Sequence, residues 1–199
     1  MQDFGEDAEV LRGLIAGDRQ VFDVLYRRHN APMLRLATAI LGVRASAEEV
    51  AQDTWVSVLR NIAAFEGRSS LAGWIFTILT NKARTRAQRD GRMLSFDAGG
   101  EEDSLAAAFD GRGRWRDMPE LWDQVTPERI VEGRDMMDHV NRAIEALPAA
   151  QRAVLILRGQ QGLDPAEVCK ALGITEGNMR VLLHRARTTL RGALGRILA

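Results

Sequence analysis

Basic side chains gather in two separate segments of this chain, and their cationic groups could bind anions. Residues 81–92 contain a single acidic residue, Asp90, and residues 176–196 contain only Glu176. The basic residues of the two segments are Lys82, Arg84, Arg86, Arg89 and Arg92, then Arg180, Arg185, Arg187, Arg191 and Arg196. Because acidic residues concentrate between these segments, the net charge of the 199 residues is zero. The distribution indicates two anion-binding faces on a neutral protein.

The second basic segment belongs to a predicted pair of short helices, within the stretch GLDPAEVCKALGITEGNMRVLLHRARTTL. Asp164 should cap the first helix, with Pro165 at its first position. Gly173 provides a sharp turn, and Thr175 should cap the second helix. Apolar residues at helical spacing predict the buried face: Ala166, Val168, Ala171 and Leu172, then Met179, Leu182, Leu183, Ala186 and Leu190.

The basic residues of the second helix lie off this apolar stripe. Arg180, His184, Arg185 and Arg187 should therefore face solvent. A helix pair of this kind can place its second helix in the major groove of DNA, where arginines contact phosphates or guanine edges. Periodicity alone equally allows an amphipathic hairpin whose arginines are merely solvated, and His184 has no nearby partner for metal binding.

The first basic segment forms the second half of a long predicted helix, LAGWIFTILTNKARTRAQRD, which follows the loop EGRSS. Upstream, Asp18 is expected to cap one helix and Pro32 to bend it or mark its restart. The Ser46–Glu49 spacing predicts a capping box for the next helix. The apolar stripe expected of that helix comprises Val50, Trp55, Val58, Leu59 and Ile62.

These elements predict an all-α protein of two small helical domains joined by an acidic linker. We expect an N-terminal domain over residues 1–92, a linker over 93–127 and a C-terminal domain over 128–199. The linker loses helical periodicity and is rich in Gly and Asp. Its Trp115 and Trp122 suggest that it docks on another surface. No segment shows the alternation of a strand.

Composition argues against several classes of function. The acidic N-terminus does not resemble a signal peptide, and no apolar run approaches membrane-spanning length, so we expect a cytoplasmic protein without membrane insertion. Cys169 is the only cysteine, and the three histidines are scattered, so we expect no disulfide, metal site or cofactor. Catalytic motifs are missing, which argues against an enzyme. Cys169 should pack as a small hydrophobe rather than act as a redox sensor.

The order of motifs resembles bacterial RNA polymerase sigma factors of the extracytoplasmic-function (ECF) class. The resemblance is carried by AEEVAQDTWVSVLRNIAAFEGRSSLAGWIFTILTNKARTRAQR, followed after the linker by LPAAQRAVLILRGQQGLDPAEVCKALGITEGNMRVLLHRARTTL. It implies that the first of these helices docks on the clamp helices of the largest subunit of core RNA polymerase. Glu49, Gln52, Asp53 and Trp55 would make this contact, although Trp55 could equally be a core residue.

The same resemblance implies that the loop from Phe65 to Ser70 captures a base flipped out of the minus-ten promoter element. The helix that follows would hold the single strand. The residues implied are Phe65, Arg68, Ser69, Trp74, Asn81, Lys82, Arg84 and Arg86, with Asn81 the foremost nucleotide contact. Trp74 could instead belong to the core, a reading slightly favoured by its place in the apolar half of the helix.

The C-terminal helix pair resembles the minus-thirty-five reader of the family, with Arg180, Val181, His184, Arg185 and Arg187 on duplex DNA. Val181 would contact a thymine methyl group. The family further implies contact with the polymerase flap and control by an anti-sigma factor. EGNMRVLLHRAR departs from the commoner family pattern, so promoter sequence does not transfer. A conventional helix-turn-helix regulator remains the alternative, but it does not explain the N-terminal half and would usually dimerise.

Overall fold

The computed structural model describes residues 4–91, residue 96 and residues 141–198, with side chains described from Asp7 to Gly192. The N-terminal half contains four α-helices: α1 (Phe4–Ile15), α2 (Arg19–Leu41), α3 (Arg44–Asn61) and α4 (Leu71–Arg89). A short 3-10 turn, Ile62–Ala64, extends α3. The described residues contain no strand. The prediction of an all-α protein is therefore confirmed for this part of the chain.

The N-terminal helix starts follow the sequence in one case and depart from it in another. Asp18 caps α2 as predicted, accepting hydrogen bonds from the backbone N–H groups of Gln20 and Val21. Pro32 does not restart the helix, since α2 continues through it to Leu41. The predicted Ser46–Glu49 capping box is wrong. Gly42 ends α2 in a left-handed conformation, and α3 begins immediately at Arg44 without a side-chain cap.

Trp55 is a core residue of this N-terminal half. Its side chain is 5% exposed, and its indole ring contacts Phe22 edge-on and Tyr26 at a tilt. The indole Nε1 donates a hydrogen bond to Asn30 on α2, over 3.1 Å. An amphipathic ring that is buried with its N–H satisfied ties α3 to α2. Leu59, predicted in the same apolar stripe, is exposed instead.

The C-terminal half contains α5 (Ala149–Leu155), α6 (Pro165–Leu172) and α7 (Glu176–Leu198), preceded by a helical segment at residues 141–145. A π-helical turn, Ile156–Gln160, continues α5. Asp164 caps α6 as predicted, and the Asn178 N–H donates to the predicted cap Thr175. Gly173 makes the turn between the helices with φ 59°, a conformation that glycine adopts without steric cost.

One position on α6 reverses the predicted register of burial. Ala166 was expected to face inward, but it is exposed, and its neighbour Glu167 is buried. Val168, Ala171 and Leu172 are buried as predicted. A carboxylate therefore enters an otherwise apolar surface, which requires hydrogen-bond partners for it there.

The two halves pack against each other. A single cluster of buried apolar side chains continues from α1 through α4 into α5, α6 and the start of α7. α6 packs on α4, and α5 packs on α2. A smaller cluster of Ile144, Leu147, Leu155 and Ala186 holds α7 to the helices before it. The stability of both halves should depend on the shared cluster, because burial of apolar surface dominates folding.

Several sequence predictions fall outside the described residues. They include most of the linker at 93–127, with Trp115 and Trp122, and the start of the proposed C-terminal domain at residue 128. The boundaries 1–92, 93–127 and 128–199 therefore stay predictions. Phe96 is the linker residue whose position the structure describes, and it is buried. Among the described helices, none combines the length and apolar character that a membrane crossing needs.

Candidate nucleic-acid interface

Side chains of the protein accept hydrogen bonds from several backbone N–H groups at the N-terminus of α4. The Ser70 hydroxyl accepts a hydrogen bond from the Gly73 N–H at 3.0 Å and so caps the helix. Asp7, on α1, accepts from the Leu71 N–H at 2.9 Å. Unpaired N–H groups at a helix start attract anions. Here, carboxylates and a hydroxyl of the protein itself occupy that position.

A third acceptor at this helix start comes from the C-terminal half. Glu167 Oε1, on α6, accepts from both the Ser70 N–H at 2.7 Å and the Ser70 hydroxyl at 2.6 Å. Its other oxygen accepts from the Asp164 N–H at 3.2 Å, completing a capping box on α6. One buried carboxylate thus caps its own helix and a helix 97 residues away in sequence. Glu167 was not among the residues predicted for a functional role, although Asp164 and Glu167 have the spacing of a capping box.

The loop before α4 holds the predicted base-capturing residues. Phe65 and Trp74 are both half-buried, with their ring centroids 5.3 Å apart, and both pack against the main core. Arg68 is exposed and forms a surface ion pair with Glu66, and Ser69 is half-buried. Each of the four keeps some accessible surface. The loop therefore offers an aromatic pair and an exposed cation, which suit a stacked base and a phosphate.

The basic half of α4 is only partly accessible. Asn81 is exposed and Lys82 is half-buried. Arg86 lies between two acidic residues, with Glu49 on α3 at 3.2 Å and Asp90 at 3.3 Å. Pairs of this kind on a surface are weak and can exchange their partners for a phosphate. Asn81 and Lys82 are thus positioned to meet a strand without prior rearrangement, and Arg86 would first leave its pairs.

Arg84 is covered by the C-terminal half and the linker. Its guanidinium stacks over the Phe96 ring at 5.0 Å. A Cβ added to Gly173 would lie 2.8 Å from Arg84 Nη1, so the guanidinium also approaches the α6–α7 turn directly. Burial lowers the pKa of Arg84 from its ordinary value. Asn178, on α7, donates a hydrogen bond to the Phe96 carbonyl oxygen at 2.6 Å and so holds Phe96 against the C-terminal half.

The predicted duplex-reading face lies on α7. Arg180, His184, Arg185 and Arg187 are all half-buried. Arg180 forms an ion pair with Glu176, one turn earlier on the same helix. Val181 is 6% exposed, so the proposed contact with a thymine methyl does not fit this arrangement. Its position directly before Leu182 places it at the edge of the buried stripe, which sequence spacing did not separate from the exposed face.

Two side chains on α7 have lowered pKa values. Burial, followed by the neighbouring Arg191, Arg185 and Arg187, lowers the pKa of His184 from its ordinary value. Burial and the positive charge of Arg158 lower the pKa of Arg187. A neutral imidazole has one donor and one acceptor nitrogen, so His184 can hydrogen-bond either kind of base-edge group. The arginine remains charged, since guanidinium keeps its proton in proteins.

Two protein-family matches cover the two basic segments of the chain. Residues 25–93 match Sigma-70 region 2, and residues 138–190 match Sigma-70 region 4. The chain is similar to the ECF RNA polymerase sigma factor SigM of Mycobacterium tuberculosis, with 28% identity over 95% of this chain and 85% of that protein. The chain belongs to the ECF sigma factors.

Further relatives and solved structures agree with this family. RNA polymerase sigma-H factor of Pseudomonas aeruginosa is 25% identical over 95% of this chain and 94% of its own. The sigma factor RpoE of Bartonella quintana, solved with the anti-sigma factor NepR, has a TM-score of 0.54 at 24% identity over 87% of this chain and 96% of its own. CnrH, solved with the cytosolic domain of CnrY, has a TM-score of 0.52 at 18% identity, covering 96% of this chain and 97% of its own.

In this ECF sigma factor the predicted polymerase-contacting residues divide into two groups. Glu49, Gln52 and Asp53 are exposed on α3. Trp55 is in the core, so the structure favours the reading in which it positions α3 over the reading in which it touches a partner. Neighbouring Val56 and Leu59 are exposed apolar residues that sequence analysis did not single out for this role. An exposed apolar pair beside polar residues is typical of a protein-binding helix.

Proposed function

We propose that this ECF sigma factor is a dissociable subunit that binds core RNA polymerase and directs promoter recognition and strand opening. The main support is that one chain contains both region 2 and region 4, each with a basic, partly accessible helix. Free energy of binding to the unpaired strand would drive melting, so no catalysis, nucleotide hydrolysis or cofactor is required.

Each part of this function has its own surface in the proposal. The exposed residues of α3, with Glu49, Gln52 and Asp53 at their centre, would dock on the polymerase clamp helices. The loop from Phe65 and the exposed Asn81 on α4 would hold the minus-ten single strand. On α7, Arg180 and Arg185 would contact the minus-thirty-five duplex, and the C-terminal half would also contact the polymerase flap. Supporting this division is the separation of the three sets of residues onto α3, onto the loop and helix of α4, and onto α7.

We further propose that an anti-sigma factor controls the protein in the cytoplasm. Support comes from RpoE, which was solved with an anti-sigma factor bound. Sigma regions 2 and 4 would then be covered together, which their mutual packing in this chain makes feasible.

A reconstituted transcription assay tests the function. Purified bacterial core polymerase is incubated with fragmented genomic DNA, with and without this protein, and transcript start sites are mapped. We expect discrete start sites that depend on the protein and open without prior nucleotide hydrolysis. Failure to bind core polymerase, together with dimeric binding to duplex DNA, would instead identify a helix-turn-helix regulator.

Asn81→Ala tests the assignment of the minus-ten strand to α4. Loss of an amide that contacts a nucleotide should reduce open-complex formation more than initial promoter binding, because the contact exists only after melting. Permanganate footprinting and filter binding measure the two steps. Gln88→Ala, at another exposed position of α4, is the matched control. Equal losses at both steps would count against strand capture by Asn81.

A further inference from the structure

The contact between Ser70 and Glu167 joins the two DNA-reading halves at the place where the minus-ten strand is expected. Ser70 ends the proposed base-capturing loop and begins α4, and both it and Glu167 are buried, at 5% and 9% exposure. The carboxylate makes two short hydrogen bonds there. Hydrogen bonds to a charged acceptor are about twice as strong as neutral ones. This pair is therefore a strong polar link in an interface that is otherwise largely apolar.

The carboxylate also supplies negative charge where a nucleic-acid strand would need positive potential. The N–H groups at the start of α4 favour an anion. With Glu167 and Asp7 both bound to them, a phosphate would meet two carboxylates instead. The same packing covers Arg84 with the α6–α7 turn and Phe96. Glu167 therefore occupies part of the anion-attracting end of α4, and Phe96 with the α6–α7 turn partly covers one of its cations.

Two further hydrogen bonds hold the same arrangement from the π-helical turn. Gln161 Oε1 lies 2.7 Å from His29 Nδ1, and Gln160 Oε1 accepts from Arg35 at 2.9 Å, both on α2. A π-turn widens the helix and is frequently found at functional sites. Here it brings two consecutive amides to α2, so the closed packing is held at both ends of the interface.

We propose that Glu167 is an intramolecular latch that holds the two halves closed and excludes single-stranded DNA from α4 until the halves separate. The proposal rests on the proposed sigma function for the identity of the excluded ligand. It explains why a residue of the minus-thirty-five reader caps the minus-ten helix. It also assigns to Glu167 two roles that separate on opening: the bonds to Ser70 break, and the capping box with Asp164 remains.

Gly73→Ala provides a steric test of the latch. A Cβ at Gly73 would lie 2.5 Å from Glu167 Oε1 and 2.8 Å from its Cδ. The new Cβ would also lie 3.0 Å from the Ser70 hydroxyl oxygen, so that hydroxyl must shift slightly as well. The carboxylate makes the closest contact, so it should leave Ser70 while the helix is retained. Alanine also favours helix over glycine by about 1 kcal/mol, which protects α4 from unfolding. Gly192→Ala, at a helical glycine with no atom within 4 Å of the new Cβ, is the matched control.

Glu167→Gln is the second variant, because it removes the charge without changing α4. The probes are a fluorescent single-stranded oligonucleotide of mixed sequence and a dye pair on the full chain. Arg60→Cys and Lys170→Cys, both exposed, carry the dyes in a Cys169→Ala background. Energy transfer between the dyes reports the separation of the halves without any DNA or polymerase.

We expect Gly73→Ala and Glu167→Gln each to lower energy transfer and to tighten oligonucleotide binding, by about tenfold for the loss of a charged hydrogen bond. Gly192→Ala should change neither. Unchanged energy transfer in both variants would overturn the latch. Reduced transfer without tighter binding would overturn the exclusion of the strand. If the halves separate as expected but wild type and variants all fail to support transcription with core polymerase, the sigma function fails and the latch stands.

Discussion

The two proposed DNA-reading faces of this protein are restrained in different ways. On α4, the restraint is tertiary: Ser70 is bound by Glu167, and Arg84 is covered by Phe96 and the α6–α7 turn. On α7, the ion pair of Arg180 is local, with Glu176 one turn away. A local, exposed pair exchanges freely, whereas an interface between distant helices opens cooperatively. The ion pair of Arg180 can therefore exchange without domain movement, whereas release of Ser70 requires α6 to leave α4.

The largest expected effect tests whether the stability of both halves depends on one shared apolar cluster. Phe76 is fully buried on α4 and contacts the His29 ring edge-on, within the apolar cluster shared by both halves. Phe76→Ala should lower the free energy of unfolding by about 3–5 kcal/mol, through lost burial and a residual cavity. Urea denaturation followed by circular dichroism measures it. Val56→Ala, at an exposed position, should have little effect. A loss confined to the N-terminal half would show that the cluster is not shared.

The next effect concerns the duplex face alone. Arg180→Ala and Arg185→Ala should each weaken binding to minus-thirty-five duplex by about 1–3 kcal/mol if they make bidentate base contacts. Fluorescence anisotropy with a promoter fragment identified by transcript mapping measures this change. Binding of the single-stranded oligonucleotide should be unaffected, and Arg60→Ala on α3 is the control. Unchanged duplex affinity in both variants would remove the recognition role from α7.

A smaller effect separates helix capping from latch opening. Asp18 and Asp164 both accept backbone hydrogen bonds at helix starts, on α2 and α6. Replacing either with alanine should cost about 1 kcal/mol in the free energy of unfolding. Only Asp164→Ala should also lower energy transfer between the labelled halves, because its cap supports the turn that carries Glu167. Equal energy transfer in the two variants would contradict this distinction.

The smallest expected effect is a dependence of domain closure on pH. Burial lowers the pKa of His29, and nearby Arg28 lowers it further, whereas its bond to Gln161 and the charge of Asp7 oppose the shift. Above the ordinary histidine pKa of 6.5, both open and closed forms are neutral and closure is independent of pH. Below it, the open form binds the proton more readily, so acidification should favour opening.

Energy transfer between pH 8 and pH 5.5 measures this dependence. His29→Gln should flatten the profile. His184→Gln is the comparison variant, because His184 also has a lowered pKa but lies on α7. An unchanged profile in His29→Gln would exclude this histidine as the titrating group.

Within the described residues, sequence by itself determined the helical class, several of the helix starts and the family of the protein. Asp18, Asp164 and Thr175 act as caps where local spacing placed them, because capping depends on residues within one turn. The family resemblance depended on two motifs and their order along the chain. Both can be read from the sequence without knowing how the helices pack. The failed Ser46–Glu49 box shows the limit of the local rule, since the end of α2 at Gly42 decided where α3 begins.

Only the tertiary structure decided which polar residues meet. Helical periodicity assigned Ala166 inward and gave Trp55 two equal roles, because a stripe does not reveal what lies against it. Packing of α6 on α4 buried Glu167 instead and brought it to Ser70, across 97 residues of chain. A carboxylate can be buried only where hydrogen-bond donors are positioned to pair with it. Those donors belong to the start of a distant helix, so this link depends on an arrangement that local sequence spacing does not contain.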